Sequence, residues 1–245
     1  MAPRLDLDRV VVIGASLAGL TAASTLRAGG YDGDLVVVDA SPEMPADRPP
    51  LSKQVLAGTM EPAVAVETLT RRIDGLDLDL RLGQPVAGAG FAPDDLRIKF
   101  QNDHELTADA VVIATGSAAR WPKDFLVETA ESTANEPKWA TPMTGVHVVR
   151  TLSDSLALKA DLDARPSRLV VIGAGFIGAE VAATARGMGI DPTDPAQAID
   201  GAADVRGGAF ERGRPVQAQH EGLLFLDRRG GTGPDRLNKR AAAIE

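Results

Sequence analysis

Two glycine-rich segments have the residue types and the spacing that bind a phosphate group. Gly173 to Gly178 read GAGFIG, a complete GxGxxG set between an apolar run and a helical pattern. Gly14 to Gly19 read GASLAG, with serine in place of the middle glycine. A strand that turns sharply into a helix leaves the first helical amides unpaired, and these amides with the helix dipole bind a pyrophosphate. We therefore predict two nucleotide-binding loops, against the alternative of two simple tight turns.

An acidic residue follows the first loop at the spacing expected of a ribose-binding group. Asp39 ends a second apolar run, about twenty to twenty-five residues past Gly14. A carboxylate there can accept hydrogen bonds from the hydroxyls of an adenosine ribose, whereas the alternative is a solvated strand end. Ser16 is compatible with this interpretation, because serine has a small side chain and the motif needs space for the pyrophosphate beside the backbone at this position.

The elements around the two loops predict an α/β fold. A first strand–helix–strand unit spans Arg9–Ile13, Leu17–Arg27 and Leu35–Asp39, and its strands are apolar throughout, as in a parallel sheet buried on both faces. A second unit begins with a strand over Arg168–Ile172 and a helix over Phe176–Met188. The fold class is therefore α/β, with two Rossmann-like dinucleotide-binding units of which the second is incomplete.

Further elements are predicted between the two units. Helices are expected over Leu51–Leu56, Val66–Ile73 and Thr151–Leu162. An antiparallel β-meander, separate in character from the strand–helix–strand unit, is expected from strands over Leu78–Leu82, Val86–Phe91 and Leu96–Phe100. A further buried parallel strand is expected over Ala110–Ala114. The expected domains are 1–120, an irregular insertion over 121–145, the start of a second dinucleotide domain over 146–190, and an atypical tail over 191–245.

The composition excludes several classes of function. The 245 residues include no cysteine, which excludes disulfides, thiolate nucleophiles and cysteine-ligated metal centres from this chain. The net charge of −8 argues against nucleic-acid binding, and no apolar run is long enough to cross a membrane. The start of the chain has no signal-peptide pattern, so we expect a cytoplasmic protein. No catalytic or metal role is expected of the histidines, which are His104, His147 and His220.

The tail over 191–245 departs from the pattern of the second unit. An apolar strand should follow Gly189, but the chain reads IDPTDPAQAID, and two prolines in four residues forbid a central strand. Only about 18% of the tail is Ile, Leu, Val or Phe, a share typical of disordered segments. The exception is LLFLD at Leu223–Asp227, a candidate for a lone strand. We expect a gene truncated or shifted in frame near codon 190.

Four segments together resemble the bacterial ferredoxin reductases, FAD-containing and NADH-dependent enzymes that serve cytochrome P450 and aromatic dioxygenase systems. They are GASLAGLTAASTLRAGG from Gly14, RPPLSK at Arg48–Lys53, ATGS at Ala114–Ser117 and VVIGAGFIGAEVAA at Val170–Ala183. RPPLSK is the most specific, since other flavoenzymes with two dinucleotides place a redox-active cysteine pair in the corresponding region. The resemblance covers about residues 9 to 190.

The resemblance implies a role for each matching residue. The implied FAD-binding residues are Gly14, Ser16, Leu17, Ala18, Gly19, Asp39, Arg48, Lys53, Ala114, Thr115 and Gly116. The implied NAD(P)H-binding residues are Gly173, Gly175, Phe176, Ile177 and Gly178. Lys53 and Glu180 are the implied catalytic pair near the flavin N5 edge, where a cation stabilises the negative charge that reduction brings. The alternatives are a solvent-exposed helix charge for Lys53 and a first-turn acid for Glu180.

The resemblance also implies an activity. A hydride would pass from NADH or NADPH to FAD, and single electrons would then pass to a ferredoxin-type iron–sulfur protein of a P450 or dioxygenase system. One alternative is a catalytically inactive, truncated remnant that binds only FAD or an ADP-type nucleotide. Another keeps the enzyme and changes the acceptor to a rubredoxin, a nitrite reductase partner or a quinone.

Overall fold

The chain folds into two units of α/β structure in a computed structural model. The first unit comprises residues 7–47 and 62–117, and the second comprises segment 48–61 together with the residues from 118 onward. Segment 48–61 therefore groups with the second half of the chain, although it interrupts the first in sequence. The structure describes residues 7–92, 95–119, 126–128, 139–142, 144–166, 168–173, 175–190, 192–193 and 223–227.

A four-stranded parallel sheet forms the centre of the first unit. Its strands, numbered in chain order, are β1 (Arg9–Ile13), β2 (Asp34–Val38), β3 (Asp79–Arg81) and β7 (Ala110–Ile113), and their spatial order is β3-β2-β1-β7. Two helices belong to the same unit, α1 (Leu17–Ala28) and α2 (Pro62–Thr70). The predicted strand–helix–strand unit is confirmed, with its boundaries shifted by about one residue.

Three antiparallel strands form the meander. They are β4 (Val86–Ala92), β5 (Asp95–Phe100) and β6 (Glu105–Ala108), hydrogen-bonded in that order. The predicted meander was wrong about its first strand, because β3 pairs with β2 in the parallel sheet and the third meander strand is β6. A short half-buried strand has the same pattern in either sheet, and its partner is chosen by contacts that are distant in sequence.

Alternate residues of β1 pack into two different clusters of buried side chains. Val10 and Val12 pack with Leu20 of α1 on one face of the sheet. Val11 packs with Ile98 of β5 on the other. Because successive strand residues point to opposite faces, a strand covered by a helix on one side and by a sheet on the other must be apolar at every position. This accounts for the uninterrupted apolar run at the start of the chain.

The second unit contains a mixed sheet and two helices. Its helices are α3 (Leu152–Asp163) and α4 (Phe176–Gly187). Its sheet has the order β10-β13-β11-β12, formed by β10 (Val146–His147), β11 (Arg168–Ile172), β12 (Pro192–Thr193) and β13 (Leu223–Asp227). The strand and helix predicted around the second glycine loop are confirmed. With both dinucleotide units and the meander in place, the predicted α/β fold class is confirmed.

The strands from the tail occupy unexpected places in this sheet. β12 is only two residues long and lies parallel to β11 at the sheet edge, where a proline without an N–H can be accommodated. The strand predicted at Leu223–Asp227 is present as β13, but it is not alone, because it lies antiparallel between β10 and β11. The remainder of the tail lies outside the described residues. A long parallel strand next to β11 is therefore absent from the part of the chain that the structure describes.

The segment over 48–61 forms consecutive turns instead of the short helix predicted at Leu51–Leu56. The N–H of Lys53 donates to the carbonyl of Pro50 at 3.1 Å, and that of Val55 donates to the same carbonyl at 3.0 Å. These bonds span three and five residues, so the regular four-residue ladder of an α-helix is not established. Pro49 and Pro50 contribute no N–H of their own.

The insertion predicted over 121–145 is described only in part. Its described residues include two short strands, β8 (Leu126–Glu128) and β9 (Trp139–Pro142), which pair antiparallel. The rest of this stretch, apart from its last two residues, lies outside the described ranges. Within those ranges, no helix is long and apolar enough to cross a membrane.

Candidate functional site: two glycine loops and a lysine–glutamate pair

The first glycine loop joins β1 to α1 at the carboxyl edge of the parallel sheet. Gly14 has a φ of +111°, and its N–H donates to the carbonyl of Val38 at 2.7 Å. A Cβ atom at this position would lie closer than 3.0 Å to the carbonyl oxygen of Ala114. Glycine is therefore required twice over, by the backbone conformation and by the approach of the neighbouring chain.

The last glycine of each loop seats the helix on the end of its strand. A Cβ atom at Gly19 would lie closer than 3.0 Å to the carbonyl oxygen of Gly14. Gly178 repeats this arrangement in the second loop, against the carbonyl oxygen of Gly173. The two loops thus have the same local packing, in which the third glycine allows close helix–strand contact.

Asp39 lies beside the first loop, as its spacing predicted. Its Oδ2 accepts the N–H of Ala15 at 2.6 Å, and its Oδ1 accepts the N–H of Ser41 at 2.8 Å. Each carboxylate oxygen can accept a second hydrogen bond, so both retain capacity for a ribose hydroxyl. The carboxylate therefore holds the first glycine loop in place.

Residues 114–116 complete the same edge of the first unit. The N–H of Ala114 donates to the carbonyl of Ile13 at 2.8 Å, and Gly116 has a φ of +68°. Two apolar side chains are exposed here, Leu17 at 50% and Ile113 at 67%. Strands β2 and β7 flank β1 on opposite sides, which makes this edge the switch point where doubly wound sheets bind ligands. Ile113 was missed by the sequence reasoning, because its apolar type indicated burial.

The second glycine loop joins β11 to α4. Gly173 has a φ of +103°, and Gly175 is the N-cap residue of the helix. Phe176, the first residue of α4, is 90% exposed, whereas Gly178 is buried. Ile177 is half-buried between them. The predicted residues of this loop therefore lie together at the start of one helix.

Both loops leave their helix N-termini free for an anion. Ser16, the N-cap residue of α1, makes no side-chain bond to a first-turn amide, and Gly175, the N-cap residue of α4, has no side chain to make one. Neither helix has an acidic residue in its first turn. By contrast, α3 has a complete capping box formed by Thr151 and Asp154. The two helices that follow glycine loops thus fit a pyrophosphate, which would supply the missing acceptors.

Lys53 and Glu180 form an ion pair within the second unit. The Lys53 Nζ atom lies 2.9 Å from Glu180 Oε1. Both side chains are about one third exposed, at 38% and 34%. Lys53 does not lie on a helix, and Glu180 is the fifth residue of α4 and outside its first turn. Lys53 is therefore not a helix residue and Glu180 not a first-turn residue, and the two residues that the resemblance paired are in contact; their catalytic role stays a prediction.

A second donor holds the other oxygen of the same carboxylate. The Ser52 hydroxyl donates to Glu180 Oε2 at 2.5 Å. This hydrogen bond, followed by the one from Lys53, lowers the pKa of Glu180 below its ordinary value, although partial burial acts in the opposite direction. Glu180 is accordingly a carboxylate at neutral pH.

The sequence reasoning also missed the side chains that anchor the segment carrying Lys53. The Ser155 hydroxyl of α3 donates to the carbonyl of Leu51 at 2.6 Å, and the Thr184 hydroxyl of α4 donates to the carbonyl of Ser52 at 2.8 Å. Nothing local to any of these residues signals such contacts, since they join positions more than one hundred residues apart. Arg48 lies exposed at the start of the same segment.

The described histidines lie apart from these loops in sequence. His147 Nε2 lies 2.8 Å from Asp161 Oδ2, a contact between β10 and α3. His104 is exposed after β5, and His220 lies outside the described residues. No cluster of His, Asp and Glu suited to a metal ion occurs in the described part of the chain.

A sequence profile of the pyridine nucleotide-disulphide oxidoreductases matches residues 8–200, which include both glycine loops and the Lys53–Glu180 pair. The chain belongs to this family. Since it contains no cysteine, no disulfide of its own can take part in its chemistry.

Individual relatives agree with this assignment. The ferredoxin–NAD(+) reductase component of the biphenyl dioxygenase system of Paraburkholderia xenovorans is 34% identical over 188 residues, which cover 76% of this chain and 41% of the relative. The ferredoxin reductase component of a chlorobenzene dioxygenase from a Cupriavidus species is 34% identical over 238 residues, which cover 96% of this chain and 53% of the relative.

A solved structure shares the fold. The ferredoxin reductase of a CYP199A2 system from Rhodopseudomonas palustris superimposes with a TM-score of 0.62 at 27% identity, covering 76% of this chain and 42% of that one. The chain thus spans about half the length, or less, of the relatives it matches.

Proposed function

We propose that this chain carries the FAD-binding part and the opening of the NAD(P)H-binding part of a ferredoxin reductase. The observation that carries the proposal is the repetition of one loop geometry. Each glycine loop opens onto a helix start without a side-chain cap, and Lys53, between the loops in sequence, pairs with Glu180 of the helix after the second loop. A ferredoxin reductase of this kind binds two dinucleotides, and the two loops and the charge pair would serve their binding and the flavin chemistry.

The first unit is proposed to bind FAD. The first-turn amides of α1, reached through Gly14, Ser16 and Gly19, would hold the pyrophosphate, and Asp39 would accept the ribose hydroxyls. Leu17 and Ala18 form the start of that helix, and residues 114–116 line the same sheet edge. In the second unit, the loop from Gly173 to Gly178 would hold the pyrophosphate of NADH or NADPH in the same way.

When bound, FAD supplies the chemistry that accepts a hydride and releases single electrons. Lys53 is proposed to supply positive charge where reduction brings negative charge, and Glu180 to hold the lysine in position through its 2.9 Å ion pair. Arg48, in the same segment, is proposed to reach the flavin end of the cofactor. No side chain of this set has to transfer a proton.

Replacing Lys53 with methionine is expected to slow reduction by NADH about tenfold or more, with the FAD content unchanged, because a preorganised charge is lost. The measurement is the rate of flavin bleaching in an anaerobic stopped-flow experiment. Lys159→Met is the matched control, since Lys159 is also paired with a carboxylate, Asp163, at 2.6 Å in the same unit. Equal rates for the Lys53 and Lys159 variants would exclude the proposed role.

The proposed electron acceptor is a ferredoxin-type iron–sulfur protein of a dioxygenase or P450 system. The support is that the Paraburkholderia and Cupriavidus relatives are reductase components of dioxygenase systems. A cytoplasmic location remains part of the same proposal.

The deciding experiment is to purify the full chain without added cofactor, record its visible spectrum, and add NADH and NADPH separately without oxygen. A yellow protein that one nucleotide bleaches, and that then reduces an added [2Fe–2S] ferredoxin, is the expected result. A yellow protein that neither nucleotide bleaches is a nucleotide-binding remnant. A colourless protein contradicts the proposal that the first unit binds FAD.

A further inference from the structure

Ser52 is a buried polar residue at the Lys53–Glu180 pair, and the proposed electron transfer gives it no role. Its residue exposure is 1%, and its hydroxyl donates to Glu180 Oε2 at 2.5 Å. Lys53 donates to the other oxygen, Oε1, at 2.9 Å. Each oxygen of the carboxylate therefore has its own donor, and the two donors are consecutive residues of one segment.

We propose that Ser52 is a positioning residue, which keeps Glu180 ionised and turned toward Lys53. The inference rests on the proposed function of the Lys53–Glu180 pair. A carboxylate held by a single lysine can rotate about its side-chain torsions, since the ion pair is about one third exposed and water competes for it. A second donor on the other oxygen fixes the plane of the carboxylate and, through it, the place of the Lys53 ammonium.

The backbone at Ser52 is itself held by side-chain hydroxyls from two helices. Thr184 of α4 donates to the carbonyl of Ser52 at 2.8 Å, and Ser155 of α3 donates to the preceding carbonyl, that of Leu51, at 2.6 Å. Thr184 is four residues after Glu180, so the same face of α4 supplies one acceptor and one donor to the segment. The Ser52 backbone is therefore fixed beside α4, and its hydroxyl keeps only the rotation of its own side chain.

The geometry also indicates which form of Glu180 this hydroxyl favours. Each oxygen of the carboxylate has a donor, and hydrogen bonds to an ionised acceptor are about twice as strong as those to a neutral one. Ser52 and Lys53 each donate to a different oxygen of Glu180, and both hydrogen bonds are stronger to a charged acceptor than to a neutral one. Loss of the hydroxyl should therefore raise the pKa of Glu180, because the charged form loses a hydrogen bond.

The test is a titration of the Glu180 carboxyl carbon by 13C NMR, on the full chain without added FAD. Glu180→Gln identifies the resonance by removing it. In Ser52→Ala the midpoint is expected to move to higher pH, and in Ser52→Thr, which keeps the hydroxyl, it is expected to stay near the wild-type value. Ser153→Ala is the matched control, because it removes a hydroxyl of α3 that bonds to Thr151 and lies outside the bonds of Ser52 and Glu180.

Two results would overturn the proposal. One is a Ser52→Ala midpoint equal to that of the wild type, and the other is an equal upward shift in Ser153→Ala. If Ser52→Ala does not fold, Thr184→Val replaces it, since this variant releases the Ser52 carbonyl and leaves both donors on Glu180. A smaller shift in the same direction is then expected, and an unchanged midpoint rejects the positioning role.

A second measurement separates this inference from the proposed function. In protein loaded with FAD, the acid limb of the NADH bleaching rate should move to higher pH in Ser52→Ala by the same interval as the Glu180 titration. If the wild type is never bleached, the proposed function fails while the titration still decides the role of Ser52. If bleaching is normal and its pH profile is the same in both proteins, the role of Ser52 fails and the proposed function stands.

Discussion

The Gly19→Ala variant is expected to purify without flavin and to unfold at a lower urea concentration than the wild type. The added Cβ would lie closer than 3.0 Å to the carbonyl oxygen of Gly14, a backbone atom that cannot rotate away. To make room, α1 must move off the end of β1, and the pyrophosphate site moves with it. The steric cost of such overpacking is about 1–3 kcal/mol or more. It exceeds the gain of at most about 1 kcal/mol that alanine brings to a helix interior.

The control for this variant is Gly90→Ala. Gly90 lies in β4 of the same unit, and no heavy atom lies within 4 Å of a Cβ placed there. Its urea midpoint and flavin content should match those of the wild type. Wild-type flavin content in Gly19→Ala would mean that the first loop does not bind FAD.

The Gly178→Ala variant is expected to give the complementary result, a yellow protein that NADH and NADPH do not bleach. Its Cβ would lie closer than 3.0 Å to the carbonyl oxygen of Gly173, so the start of α4 is displaced while the first unit is untouched. The rate of bleaching should fall by about a hundredfold or more, since a misplacement of about 1 Å can cost that much. The measurement is anaerobic bleaching at saturating nucleotide.

Gly187→Ala is the control on the same helix. A Cβ at Gly187 would meet no heavy atom within 4 Å, and this glycine ends α4 far from the loop in sequence. Normal bleaching is expected. If Gly178→Ala loses its flavin and Gly19→Ala keeps it, the two loops have been assigned to the wrong nucleotides.

The local sequence pattern was sufficient to predict the first strand–helix–strand unit. The apolar run of β1, the glycines at 14 and 19, and Asp39 lie within one strand–helix–strand unit of some thirty residues. Within such a unit the chain has few ways to connect, and strand periodicity and positive φ are read directly from residue type. The second loop was predictable for the same reason.

The partners of β3 and of segment 48–61 required the tertiary structure. Asp79–Arg81 is a three-residue strand whose pattern suits either sheet, and only its pairing with β2 settles the choice. Segment 48–61 has the composition of a short helix, but its backbone bonds are set by two prolines and by hydroxyls from α3 and α4. Such choices depend on contacts between residues far apart in sequence, which no local pattern encodes.

Some features of the candidate site were likewise predictable from the sequence, and others required the tertiary structure. The sequence by itself determined the two glycine loops between a strand and a helix, the acid beside the first loop and the absence of cysteine chemistry, because each depends on residue type and short spacing. It named Lys53 and Glu180 only through a family resemblance. The tertiary structure decided that these two side chains meet across 127 residues, and that Ser52 joins them. Charge pairing between distant segments is a property of packing, since two side chains meet only where the fold brings their backbones together.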